Sequence, residues 1–112
     1  MQIIRETFTE SYWFGLSTIE QLAHIGDDVE RAIDFRKNGD VAQCNNAIQS
    51  ALELLKLIMI DSQDIRRLSE ISKVKMALLD DFYGKNEYQS TDAGWIKYFA
   101  CFKHLSKQKE GR

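Results

Sequence analysis

The sequence predicts an all-α fold: an antiparallel up-down four-helix bundle, preceded by an aromatic N-terminal arm or short extra helix. Three observations predict it. Apolar residues recur at helical spacing in four separate stretches. Capping or stop residues bound those stretches. The connections between them are short, so consecutive helices must lie side by side and antiparallel. The 112 residues include no proline, so nothing forces a kink, and glycine or asparagine must end the helices. A chain of this length holds one modest core and is read as a single domain, 1–112.

Residues 1–16 are the least regular part. Phe8, Tyr12, Trp13 and Phe14 crowd an otherwise polar segment. Phe8, Tyr12 and Leu16 would share one helical face, whereas the run from Glu6 to Ser11 alternates as a strand does. The segment is read as an arm or short helix that packs its aromatics on the bundle or covers a partner groove. Ser17 then opens the first long helix, with Glu20 completing a capping box. Its inner face is Ile19, Leu22, Ile25, Val29 and Ile33, and Asn38-Gly39 stops it near Lys37.

Asp40 to Ile60 is the longest strongly periodic stretch, with Asp40 suited to the N-cap. Val41, Cys44, Ile48, Ala51, Leu52, Leu55, Ile58 and Met59 form one face. Leu54, Leu57 and Ile60 widen it, so this helix must be covered on several sides. Asp61-Ser62 ends it and is expected to cap a third helix from about Gln63 to Tyr83. There Ile65, Leu68, Ile71, Leu78, Leu79 and Phe82 face inward, and Ser72 and Lys75 interrupt the stripe. Gly84 ends that helix, and Ser90 or Thr91 caps a fourth whose face is Trp95, Tyr98, Phe99, Phe102 and Leu105. The charged tail 106–112 is expected to fray.

Charge and composition exclude several functions. The formal net charge of −2 argues against a dedicated nucleic-acid binder. The first sixty residues carry 5 Lys/Arg against 9 Asp/Glu, and the remainder 10 against 8, an imbalance suited to attraction between helices or to a charged partner. No apolar run approaches the roughly 20 residues needed to span a bilayer, and no signal segment is evident at the start. Cys44 and Cys101 sit among apolar neighbours outside any Cys-x-x-Cys pair, which reads as reduced buried thiols in a cytoplasmic protein. The two histidines, His24 and His104, lack the Glu-x-x-His spacing of a carboxylate-bridged metal bundle. The glycines form no phosphate loop. No cofactor, metal or catalytic residue is expected, and the chain is read as non-enzymatic.

Surfaces remain. Helix two is apolar on more than one face, and helix four and the arm add aromatics beyond what one small core absorbs. The candidate partner-binding residues are Leu54, Leu57 and Ile60, then Trp95, Tyr98, Phe99 and Phe102, with Tyr12 and Trp13 from the arm. In the central hairpin, Gly39-Asp40-Val41 followed by Asn45, Ile48, Ala51, Leu54, Leu55 and Ile58 resembles the second helix of the flagellin export chaperone family, the FliS-like proteins. Lys85-Asn86-Glu87 is similar to that family's Lys-Asn-Asp between its third and fourth helices, and His24-Ile25-Gly26 stands where it has Tyr-x-Gly. The resemblance implies a cytoplasmic chaperone that holds an amphipathic helix of a flagellin-like client; the bundle itself is expected to be monomeric or weakly dimeric. Two other readings are a small immunity or antitoxin protein and a self-associating phage or structural protein. The first would block an enzyme through the acidic residues Glu20, Asp27, Asp28, Glu30 and Asp34.

Overall fold

The structure, a computed structural model, describes residues 3–5 and 8–110, and the side chains of 11–108. A strand pair, β1 (Ile3–Arg5) and β2 (Phe8–Thr9), runs antiparallel with Ile3 opposite Thr9 and Arg5 opposite Phe8. Then come α1 (Glu10–Gly15), α2 (Thr18–Lys37), α3 (Val41–Asp61), α4 (Ile65–Tyr83) and α5 (Asp92–Glu110). The first segment is thus both strand and short helix. The side chains of Phe8 and Lys109, and residues 111–112, lie outside the described residues.

The helix ends follow local chemistry. Ser17 accepts the Glu20 N–H while the Glu20 carboxylate accepts the Ser17 N–H, a complete capping box at α2. Asp40 caps α3 through the Gln43 N–H. Gly39 has φ +75°, the left-handed value that lets so short a link reverse the chain. Two boundaries differ from expectation. Asp64, not Ser62, caps α4: its carboxylate accepts from the backbone of Arg66 and Arg67, while Ser62 Oγ accepts the Asp64 N–H. And α5 runs on to Glu110, because Lys, Gln and Glu are strong helix formers and extend it past Leu105 without packing.

α2 is the centre of a helical bundle. One flank packs on α3 and the other on α5, while α4 packs on α3. The core contains Leu22, Ile25, Val29 and Ile33 of α2, with Ile48, Leu54, Leu55 and Ile58 of α3. Ile71 and Leu78 of α4 and Trp95 and Phe99 of α5 complete it. Each such side chain contributes about 1.5–3 kcal/mol on leaving water. Gly26 lets α5 approach α2 closely: a Cβ there would lie 2.6 Å from Phe99 Cβ.

Arg36 fastens one end of the bundle. Its guanidinium donates to Asp81 on α4 (3.2 Å) and Asp92 on α5 (2.8 Å) and lies 4.0 Å from the centre of the Phe82 ring. Asp81 also accepts Trp95 Nε1 at 2.8 Å. Burial alone would lower the Arg36 pKa, but its hydrogen bonds to Asp81 and Asp92 raise it instead. Beside this cluster Asp80 holds the loop before α5, accepting the N–H groups of Glu87 and Tyr88 through its carboxylate and those of Gly84 and Asn86 through its carbonyl.

Candidate partner-binding surface

Several of the side chains expected to meet a partner are core. Leu54, Trp95, Phe99 and Trp13 are buried, and Leu57, Tyr98 and Phe102 are half-buried against them. The reason lies in α5. Its aromatics form a tilted ladder, with Tyr98 edge-on to Phe99 (centroids 5.0 Å apart) and to Phe102 (5.4 Å). That geometry turns the ladder onto α2 and α4 rather than outward. Tyr98 Oη donates to Glu70 on α4 at 3.0 Å. Burial and then that carboxylate push the Tyr98 phenol well above its usual range. Trp13 anchors α1 in the core, and its carbonyl accepts Gln21 Nε2 at 2.9 Å. Of the expected surface residues, only Tyr12 and Ile60 are open, Ile60 at 70 %.

An exposed apolar row lies along α4, in addition to exposed residues on other elements such as Phe14, Val41, Ile96 and Leu105. Ile65 (81 % exposed), Met76 (54 %), Leu79 and Tyr83 stand on one stripe of its outer face, since positions 65, 72, 76, 79 and 83 recur at helical spacing. Ile65 and Leu79 were expected inward, but the third helix is covered mainly by α3, so only the arc centred on Ile71, Val74 and Leu78 is buried. Beside the stripe, Val41, Ala42, Cys44 and Ile48 of α3 and Phe82 and Tyr83 of α4 line an open groove of about 330 Å³. Tyr83 braces it, donating to Asn45 and accepting Gln49 Nε2 at 2.9 Å. The signal was present in the sequence. Ser72 and Lys75 break the inward stripe of α4, and the apolar residues left beside them form a second face.

The acidic face of α2 is largely used within the fold. Lys103 of α5 bridges Asp27 (3.0 Å) and Glu30 (2.8 Å). Burial would lower the Lys103 pKa, but its bonds to Glu30 and Asp27 raise it. Asp28 is wholly buried, taking Ser50 Oγ at 2.8 Å and pairing with Arg31. Glu20 closes the capping box. Between α1, α2 and α5 lies a half-open cleft of about 360 Å³ edged by Tyr12, Glu20, His24, Asp27, Lys103 and Lys107.

Both cysteines are free. Cys44 is half-buried at the groove, where burial pushes its thiol up, while Cys101 is exposed. The expectation of two buried thiols therefore holds for neither in full: Cys101 sits on the outer side of α5, away from the Trp95–Phe99–Phe102 face. His24 packs near the rings of Tyr12 and Trp13, and His104 pairs with Gln108. Among the described residues no three His, Cys, Asp or Glu side chains form a group able to hold a metal ion, and no helix is long and apolar enough to cross a membrane. Comparison with protein-family models, curated proteins and solved structures finds no match.

Proposed function

We propose that this chain is a non-enzymatic binding protein that holds an amphipathic helix of a partner against α4 and the α3–α4 groove. The observation that carries the reading is the exposed stripe Ile65, Met76, Leu79 and Tyr83 beside an apolar groove. An apolar helix face exchanging water for such a groove is a recurrent mode of recognition. Four anchors of about 1.5–3 kcal/mol each, already half covered and set against an association cost of at least about 4 kcal/mol, give weak and readily reversible binding. That strength suits a protein that holds a client and hands it on.

The finer reading is an up-down four-helix bundle, monomeric or weakly dimeric, that works in the cytoplasm on a client destined for export. The resemblance of its central hairpin to the flagellin export chaperones makes the C-terminal helix of flagellin the first client to test. Titration of that peptide, followed by NMR, is expected to shift the amide signals of Met76, Leu79 and Tyr83. Leu79→Glu is expected to abolish the shifts while leaving the fold intact. Shifts confined to α5, or none at all with any amphipathic helix, would remove the reading. The inhibitor reading has less support, since Asp27, Asp28 and Glu30 already have partners inside the fold.

A further inference from the structure

The charges of α4 are sorted. Its three carboxylates are all engaged: Glu70 accepts Tyr98 Oη, Asp80 holds the following loop, and Asp81 takes Arg36 and Trp95. Its cations are not. Arg66, Arg67, Lys73 and Lys75 make no ion pair among the described residues. Helical spacing turns Arg67 to the far side, by Thr18 and Ile58, and sets the other three beside the apolar stripe. Lys73 is three residues before Met76, Arg66 lies two turns earlier in the same row, and Lys75 is four before Leu79 on the opposite side. Ile65 to Tyr83 spans about 27 Å of helix axis, the length of a partner helix of comparable size. The stripe is thus an apolar track with a positive charge on either edge.

We infer that the partner is an acidic amphipathic helix, its apolar stripe on Met76 and Leu79 and its carboxylates on either side meeting Lys73, Arg66 and Lys75. This rests on the helix-binding function proposed above and adds to it the charge of the client. Each solvent-exposed pair strengthens binding by about twofold, so three pairs give a preference of about tenfold. Charge attraction also raises the association rate, and salt removes that gain.

Two synthetic helical peptides of equal length test it, sharing one leucine stripe and flanked by glutamate in one and lysine in the other. Anisotropy of labelled peptide with the full chain should show the glutamate peptide binding about tenfold tighter at low salt. The gap should close at molar salt. Lys73→Glu with Lys75→Glu should reverse the preference, and circular dichroism confirms the variant's fold. Equal affinity for both peptides overturns the acidic partner and leaves helix binding standing. Failure of both peptides overturns helix binding itself. Vesicles of phosphatidylserine in phosphatidylcholine are the control: if the chain binds them through Met76 and ignores both peptides, the track is a lipid-facing surface and the inference fails.

Discussion

α2 and α4 begin from nearly the same material. One is 20 residues long and the other 19, and each is amphipathic, capped by a short polar side chain and rich in charge. Their fates differ because of what lies beside them. α2 has α3 on one side and α5 on the other, so its apolar arc is buried and two of its carboxylates meet Lys103. α4 is covered chiefly by α3, so four of its apolar residues and most of its cations remain exposed. Periodicity decides that a segment is a helix with an inner face. The number of neighbours decides how wide that face becomes.

The sharpest way to break this contrast is at the α2–α5 seam. Phe99→Ala should cost about 3–5 kcal/mol in chemical denaturation, because the ring is fully enclosed over Gly26. A loss under about 1 kcal/mol would mean that α5 is a loose cover and α2 is no more central than α4. Gly26→Ala comes next, at about 1–3 kcal/mol, since its methyl would meet Phe99 Cβ and force the helices apart. Full stability in that variant would show that α5 gives way easily.

Lys103→Met should cost less, about 0.5–1 kcal/mol, as both its partners are substantially exposed and solvent screens the pair. Its pH dependence sharpens the point. A lysine whose pKa is raised on folding stabilises the fold below its unfolded value, and that stability is lost as pH rises through the folded value. Tyr98 and Cys44, also raised, act in the same direction. Stability should therefore fall from about pH 9 upward, with a shallower slope in the Lys103→Met variant. The smallest effect belongs to α4. Met76→Ser should lie within about 0.5 kcal/mol of the parent, while weakening capture of a helical peptide. A core-sized loss there would place Met76 inside and remove the exposed track.

Local rules reached the fold more readily than the surface. The caps at Ser17 and Asp40, the stop at Gly39 and most of the inward faces of the first two long helices depend on residues within a turn of one another and stand as expected, while Ile19 and Val41, in the first turns, are exposed. Which aromatic points outward does not. Trp95 and Phe99 have the composition of a sticky surface, and burial follows only from α5 folding back on Gly26, more than seventy positions earlier in the chain. Ile65 reads as core until Asp64, one residue before it, proves to be the cap, which leaves it in the unpacked first turn. The same holds for charge. Glu30 and Asp27 look like a free acidic face until Lys103 is placed opposite.

The two flanks of α2 also differ in the distance along the chain that each must close. Ser50 reaches Asp28 across 22 positions, whereas Asp92 reaches Arg36 across 56. The difference in closure entropy is only about 0.8 kcal/mol, but α3 follows α2 after three residues and zips against it directly, while α5 must wait for α4 and the loop held by Asp80. Loop closure therefore predicts that the α2–α3 hairpin forms early and α5 docks last. On that order, Phe99→Ala should hasten escape from the native state and scarcely slow its formation, and the last helix to dock would set the lifetime of the folded chain.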